Sequence, residues 1–376
     1  MTTPTTESAS LATESADSPW QIELTEQVPE ADLRAVGNRL VDIFSYYQPF
    51  STQRTQLAWI RVQFEGQLLA LVPTVRLVKR PVTDMLRHGW RRWLGPTLGP
   101  LAKKTTLLID TAFMVFADQS PFVIAEGIEI DPNRLKREVV EFAKGLKGVD
   151  MLWITEPEED CQWAAGEGFH QFYALPMAHI EIGESTSFQE YAATVSRNRR
   201  RNFKIERKTF EQAGGQIEMQ EGPLQEPLLG EVLKCLEGSA AHSQFVVPYN
   251  EVLIDPRAFA GQRQTVLVAR VAGQVVGFMS FLIDGKRLMQ CHGGLDYQRS
   301  HEVLAYHNLI QTAVKYAIER GLTTFSMGPL SNETKRRAVT TLKPMVANLW
   351  NRNPLDAMAA KIFFTKNLEV YRGELD

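Results

Sequence analysis

Apolar positions along this chain follow two alternating periods. Period-two runs rich in β-branched and aromatic residues read as strands at Trp20–Thr25, Ala58–Phe64, Gln67–Val78, Leu107–Phe116, Phe122–Ile130, Val149–Thr155 and Phe172–Ile182. Between them lie stretches of helical period. Pro29–Tyr47 carries Leu33, Val36, Leu40, Ile43 and Phe44 on one stripe, and a second helix runs from Asp131-Pro132 to Gly148. Glu65-Gly66 separates two strands at hairpin distance, because glycine supplies the positive φ of a tight turn. His88–Lys104, rich in Trp, Arg, Gly and Pro, reads as a long loop, and Glu158–Gly166 as a short helix.

The second half repeats the pattern. Ser187, Phe188, Gln189 and Glu190 form a capping box, predicted to open one long helix that closes at Gly214-Gly215. A strand at Gln216–Gln220 and a helix at Leu228–Gly238 follow. Thr265–Val271 and Gln274–Ile283 form a hairpin across Ala272-Gly273, and Arg287–Gly293 is the next strand. Val303–Arg320 is a strongly apolar helix ending at Gly321. It leads to a strand at Thr323–Met327, a short helix at Asn332–Thr341 and a last strand at Val346–Trp350. The strand, Gly-Gln turn and strand at Trp59–Ala70 match those at Leu267–Gly277. Downstream, Arg134–Ile182 and Val303–Trp350 share the order helix, Gly, strand, short helix, strand. The prediction is a mixed α/β chain of two tandem domains, 20–184 and 185–376, joined near Gly183–Ser187. Met1–Pro19, polar and free of Lys and Arg, reads as a disordered tail.

Composition narrows the function. The chain has 376 residues, 41 Lys and Arg against 44 Asp and Glu, and a formal net charge of −3. That balance disfavours coating nucleic acid by bulk charge but permits a local basic patch. Cys161, Cys235 and Cys291 show no CxxC spacing, against both a disulfide framework and a thiolate metal site. No metal is expected. No run approaches the ~20 apolar residues of a spanning helix, and the N-terminus lacks the marks of a signal or transit peptide. The expectation is a cytoplasmic protein with no membrane span and an oligomeric state that the sequence leaves open.

The sharpest charge feature is Arg197–Lys208, with seven basic residues and one acidic residue in twelve. Arg197, Arg200, Arg201, Lys204 and Lys208 share one face, and no apolar residue lies between Ser196 and Asn202. Two readings stand: a solvated linker helix, or a surface facing the phosphate of a donor or carrier.

The element order resembles the GNAT acyltransferase fold. Two such units joined by a basic helix resemble the Fem-type aminoacyltransferases and related double-GNAT proteins. The resemblance rests on Gly294–Ser300, Tyr306–Ile310, Ala317–Gly321, Phe325–Gly328, Glu333–Lys335 and Trp350–Asn353, and on Tyr191 through Arg199–Phe203 to Gly214. Over the first half it rests on element order alone. Acetyl-CoA-binding members carry a glycine-rich loop before the main helix, where backbone N–H groups close on pyrophosphate. Here that stretch is Gln298–Val303, without glycine, which disfavours CoA bound in that manner.

GNAT-like sites form where the fourth and fifth strands part. The resemblance therefore implies a cleft in the second domain lined by His292, Asp296, Tyr297, Ser300 and Lys335. His292 would take a proton from an acceptor amine, Asp296 hold an ammonium and Tyr297 protonate a leaving group. Ser300 and His301, at the predicted start of the main helix, and Lys335 would join Arg197, Arg200, Arg201 and Lys204 in binding the donor. Each has a structural alternative: a hydrogen-bonded strand histidine, turn residues, an N-cap at Ser300 and an exposed helix start. His307, on the apolar stripe, reads as a core histidine. The implied function is transfer of an acyl or aminoacyl group from a thioester or ester to an amine. The co-substrate is acyl-CoA, acyl carrier protein or aminoacyl-tRNA, and no cofactor is tightly bound. Two alternatives stand beside it: a non-catalytic GNAT-like module that binds a phosphorylated ligand in envelope or polysaccharide assembly, and an acyltransferase for lipid- or carrier-bound chains.

Overall fold

The computed structural model describes residues 11–12, 19–37, 44, 48–81, 103–110, 119–242, 265–330, 333–358 and 361. The expected loop at His88–Lys104 lies almost wholly outside them. So does most of the expected tail, but Leu11–Ala12 pairs with the next strand as a two-residue strand.

Two sheets organise the chain. The strands of the first half are β1 (Leu11–Ala12), β2 (Trp20–Thr25), β3 (Thr55–Phe64), β4 (Gln67–Pro81), β5 (Lys103–Asp110), β6 (Val123–Ile124), β7 (Met151–Pro157), β8 (His170–Tyr173) and β9 (Met177–Glu181). Those of the second half are β10 (Gly215–Glu221), β11 (Thr265–Val271), β12 (Gln274–Asp284), β13 (Arg287–Leu295), β14 (Thr324–Pro329), β15 (Thr341–Lys343) and β16 (Met345–Asn351). The helices are α1 (Glu30–Val36), α2 (Pro132–Gly145), α3 (Phe188–Thr194), α4 (Arg197–Gln212), α5 (Leu228–His242), α6 (Ala305–Glu319) and α7 (Glu333–Ala338). Both predicted hairpins form. Their turns place Glu65 and Gly66, and Ala272 and Gly273, at positive φ.

Four local expectations are corrected. The helix expected over Pro29–Tyr47 is interrupted at Gly37, which takes the left-handed conformation and caps α1; of its second half only Phe44, itself helical, lies among the described residues. The strand expected at Phe122–Ile130 shortens to β6. Two 3-10 turns, Glu158–Asp160 and Gln162–Ala164, stand for the short helix at Glu158–Gly166. The long helix opening at Ser187 is two helices. Ser187 caps α3 by accepting from Glu190 N–H at 3.2 Å, then extended Val195 breaks the run and Ser196 caps α4 in the same way.

One further strand expectation fails more instructively. Phe172–Ile182 is not one strand but β8 and β9, which lie in different sheets. The first sheet runs β1-β2-β3-β4-β5-β7-β16-β8, with β6 on β4, and the second runs β10-β11-β12-β13-β14-β9-β15. Each half sends its last strand into the other half's sheet. β16 sits antiparallel between β7 and β8, with Ala347 opposite both Thr155 and Phe172. β9 sits antiparallel between β14 and β15, with His179 opposite both Ser326 and Thr341. The switches fall at Pro176 and Pro344, which lack the N–H a continued ladder needs. Their carbonyls accept reciprocally, Pro176 from Leu330 N–H and Pro344 from Glu158 N–H. A cut near residue 184 therefore leaves β9 and β16 in the wrong fragment.

Burial follows this exchange. One apolar cluster packs α2 on the first sheet, and another packs α3, α4 and α6 on the second. A third draws Trp59, Leu71 and Leu108 from the first half together with Val232, Phe278 and Met289 from the second. At the end of β7 the buried Lys136 and Glu156 pair at 2.7 Å. Trp163 Nε1 donates to the same carboxylate, and so does Asn348 of the exchanged β16, at 3.4 Å. Burial raises the Glu156 pKa, against the opposing pull of Lys136.

Candidate active site

Among the described residues, β13 and β14 are the one pair of neighbours in the second sheet that run parallel, and they pair briefly. The register holds at Arg287–Thr324, Leu288–Phe325 and Met289–Ser326, then stops although both strands continue. In the first sheet the corresponding pair, β5 and β7, stays in register from Thr106–Met151 to Asp110–Thr155. Among the described residues, the parting of strands is thus seen in the second half. Beyond it, β14 also skips its pairing with β9 between Ser326 and Pro329. Buried Lys335 folds back from α7 and donates to Met327 O at 2.7 Å and Pro329 O at 3.1 Å. Burial lowers its pKa to about 8. The exposed helix start expected for Lys335 is therefore corrected: its ammonium closes carbonyls that the parted ladder leaves over.

Buried polar side chains also lie on the strands that flank this parting. His292 on β13 lies opposite Ser280 on β12, where the register shifts and accommodates an extra residue at Cys291. Ser280 Oγ accepts from His292 N–H at 3.1 Å and stands 3.3 Å from its Nδ1. Either imidazole tautomer fits that hydroxyl, which donates to Nδ1 or accepts from it. Ser326, His179 and Gln290 are also buried, and neither Ser326 Oγ nor Gln290 Oε1 has a partner among the described residues. Sequence reasoning named only His292 here. The available signal was the polar residues at 280, 290 and 326 inside otherwise apolar strands.

The loop after β13 holds the next candidates. Gly294 lets α5 approach closely, since a Cβ there would stand 2.6 Å from the backbone of Cys235 and Leu236. Asp296 Oδ1 accepts from Gln298 N–H at 3.1 Å, forming a turn. Tyr297 stacks on His242 of α5, with ring centroids 4.4 Å apart and an interplanar angle of 10°. Ser300 is not an N-cap. The helix begins four residues later than that cap requires, after Leu304 in the left-handed conformation at φ 56°, and Ser300 is buried beneath the turn. Ala305 N–H, in the first turn of α6, donates to Ser300 O at 3.0 Å. His301 is exposed.

The basic helix α4 is not a solvated rod. Phe203, Glu206 and Phe210 are buried along its inner stripe, although no apolar residue precedes Phe203. Glu206 ties α4 to α6. It accepts from Arg199 Nη1 at 2.7 Å and from Gln311 Nε2 at 2.7 Å, with His307 Nδ1 3.3 Å away. Asn308 Nδ2 donates to the Glu206 carbonyl at 2.9 Å. Burial lowers the His307 pKa, opposed by Glu206. Of the four basic residues singled out from sequence, Arg200 and Lys204 line a cleft of about 700 Å³ with Arg207 and Lys208, whereas Arg197 and Arg201 are exposed outside it. Sequence reasoning missed Arg207 and Gln311 on this cleft and Glu206 behind it. A single acid within the basic run was the visible mark of the last.

Among the described residues no group of three His, Cys, Asp or Glu could hold a metal ion. No helix among them is long and apolar enough to cross a membrane.

Comparison with known proteins places this arrangement. FemX aligns over 89% of this chain and 99% of its own, at a TM-score of 0.56 and 10% identity. L-PGS from Bacillus licheniformis aligns over 88% of this chain and 94% of its own, at 0.52 and 13%. A tandem GNAT protein from the clavulanic acid biosynthesis pathway aligns over 89% and 99%, at 0.51 and 12%. Likeness at such identities establishes the fold, two tandem GNAT-like units. No curated protein matches the sequence. A family model described as FemAB-like, peptidoglycan biosynthesis/recognition, matches residues 131–369, from the helix of the first sheet through the exchanged strand β16. On that match the chain belongs to the FemAB-like family, built as a double-GNAT, Fem-type aminoacyltransferase-like protein.

Proposed function

We propose that this protein transfers an aminoacyl group from aminoacyl-tRNA to an amine of a peptidoglycan precursor. The reaction is set where β13 and β14 part. Membership of the FemAB-like family supports an acyl- or aminoacyltransferase. The observation that carries the finer reading is the start of α6. Its first N–H is already bonded to Ser300 O, and Leu304 with the turn before it occupies the place where a pyrophosphate would meet a glycine-rich loop. A donor whose reactive ester hangs from a ribose, not from a pantetheine, needs no such loop.

In the step itself the acceptor amine nitrogen attacks the ester carbonyl carbon. A C–N bond forms, the bond to the ribose 3′-oxygen breaks, the amine loses a proton and the leaving oxygen gains one. His292 receives the amine proton, while Asp296 orients the acceptor and Tyr297 donates a proton to the leaving oxygen. Ser326, with an unpartnered buried hydroxyl, donates to the developing oxyanion. Lys335 holds the parted end of β14 and places a positive charge beside it. Arg200 and Lys204 hold donor phosphate.

One observation favours a second reading, a non-catalytic module that binds a phosphorylated ligand: His292 and Lys335 are both buried and hydrogen-bonded within the sheet. A donor screen separates the two. Aminoacyl-tRNA, acyl-CoA and acyl carrier protein are each incubated with the full chain and a precursor bearing a free amine. The proposal expects an amide product from aminoacyl-tRNA alone. Product from acyl-CoA would overturn the choice of donor, and no product from any donor would leave the binding module standing.

A further inference from the structure

We propose, on the transfer reading of the reaction, that Gln290 and Tyr306 hold the α-amino group of the aminoacyl donor and so tell an aminoacyl ester from a plain acyl one. Gln290 is the first residue of β13 past its last pairing with β14. It lies opposite Phe281 of β12, and directly opposed residues share a face of the sheet. Phe281 and Leu288 belong to the apolar cluster under α6, so Gln290 faces α6 as well. Glycine at 293 makes room for its side chain. A Cβ there would stand 2.6 Å from Gln290 Nε2, so the amide runs along β13 toward the parted end.

Tyr306 reaches the same face from the helix. It is the second residue of α6 and packs on the same cluster. A side chain in the first turn of a helix leans back toward the helix N-terminus, here toward the loop that leaves β13. The phenol of Tyr297, in that loop, is near enough to add to the burial that raises the Tyr306 pKa, so Tyr306 keeps its proton. Gln290 is 6% exposed. Neither its Oε1 nor the Tyr306 hydroxyl has a partner among the described residues, so the two do not satisfy each other. Buried polar atoms left unpaired are costly, and two beside one parted strand point to a ligand that pairs them.

The chemistry of the pair narrows the ligand. An amide oxygen accepts, whereas a tyrosine hydroxyl both donates and accepts. A neutral α-amine has N–H donors and one lone pair, so it gives a proton to Gln290 Oε1 and takes one from the Tyr306 hydroxyl. With the amide turned over, Nε2 donates to the lone pair and Tyr306 accepts from an N–H, so both amide orientations suit an amine. Lys335, whose ammonium closes the end of β14, disfavours a second cation and favours the neutral form. A plain acyl chain brings no polar atom at that carbon. The two faces of the sheet then divide the substrates. His292 lies opposite Ser280, on the face away from Phe281, and meets the acceptor. The acyl substituents turn toward α6.

The test measures binding without turnover. Its probes are RNA hairpins ending in CCA, whose terminal 3′-amino-3′-deoxyadenosine carries an alanyl, lactyl or propionyl group through a stable amide. The three differ only in an amine, a hydroxyl or a hydrogen on one carbon, and a methyl side chain fits a pocket built for a larger one. The full chain should bind the alanyl probe about tenfold or more tighter than the propionyl probe, with the lactyl probe between them. Tyr306→Phe and Gln290→Met should each bring the alanyl probe to within about threefold of the propionyl probe and leave propionyl binding unchanged, a split that a general loss of structure does not produce. Neither should lower the melting temperature, since each removes an atom with no partner in the free protein. Alanyl preference in binding without any transfer in the donor screen would refute the transfer reading and spare this site. Equal transfer of alanyl and propionyl groups would keep that reading and overturn this site. The proposal is also overturned if the parent binds the alanyl and propionyl probes alike, if it binds none of the three, or if both variants keep the parent's preference.

Discussion

Replacing Lys136 by Met keeps the aliphatic stem and removes the ammonium from one of the most deeply buried ion pairs in the protein. The lysine side chain is 4% exposed and the Glu156 side chain 0%. Breaking a buried pair from one side typically costs about 3–5 kcal/mol, because a charge is left uncompensated. Here protonation of the orphaned carboxyl limits the cost. From its ordinary value of 4.5 to pH 7.5, holding Glu156 protonated costs about 4 kcal/mol, and at pH 5.5 about 1.4 kcal/mol. Losing the Lys136 hydrogen bond to Asp160 O, at 2.7 Å, adds about 1 kcal/mol at either pH. Burial already raises the folded-state pKa of Glu156, so the folded state binds more protons than the unfolded one between 4.5 and that raised value. Stability therefore falls as pH rises through the window, and Lys136→Met widens the window upward. Urea unfolding followed by tryptophan fluorescence should show a deficit of about 5 kcal/mol at pH 7.5, shrinking by about half at pH 5.5. Adding Glu156→Gln should recover most of it. An equal deficit at both pH values, or no recovery in the double variant, would refute the reasoning.

Four further outcomes are expected. Residues 20–184 expressed alone should show no cooperative unfolding transition, because the sheet lacks β16 and β9 lacks its own sheet; a clean transition in that fragment would contradict the exchange. Ala272→Asn should raise stability by roughly 0.5–1 kcal/mol in urea melts, since φ at 272 is 50° and Asn-Gly suits this two-residue turn. Ser187→Ala should lower it by about 1 kcal/mol through loss of the cap on α3. Lys335, with its pKa lowered from 10.5 to about 8, binds fewer protons folded than unfolded between those values. Its contribution to stability should thus grow as pH rises from 8 to 10, and Lys335→Met should abolish that slope.

The hairpins were legible because Glu65-Gly66 and Ala272-Gly273 state their turn chemistry locally and the flanking strands keep period two. The two-helix form of 188–212 was half legible. Ser196 is as good a cap as Ser187, but a basic run with no apolar residue hides where one helix ends. The exchange of β9 and β16 was marked only by Pro176 and Pro344. Proline states that a ladder stops, and not which sheet takes up the strand beyond it. At the candidate site, His292 was singled out by its place near a strand end and Lys335 by following one. Ser326 and Gln290 escaped because a polar residue in an apolar strand gains its meaning only when the neighbouring strand leaves, which is a tertiary event. Glu206 shows the same limit, since its partners Gln311 and His307 lie on a helix about a hundred residues away.

The central claim is carrier-to-amine transfer at the parted strands. Single-turnover mass spectrometry with aminoacyl-tRNA and an amine-bearing peptidoglycan precursor tests it most directly. The account predicts one aminoacyl group gained per precursor for each tRNA discharged, and loss of that product in His292→Ala while the donor still binds. Discharge of the tRNA without amide formation, or undiminished product in His292→Ala, would contradict it.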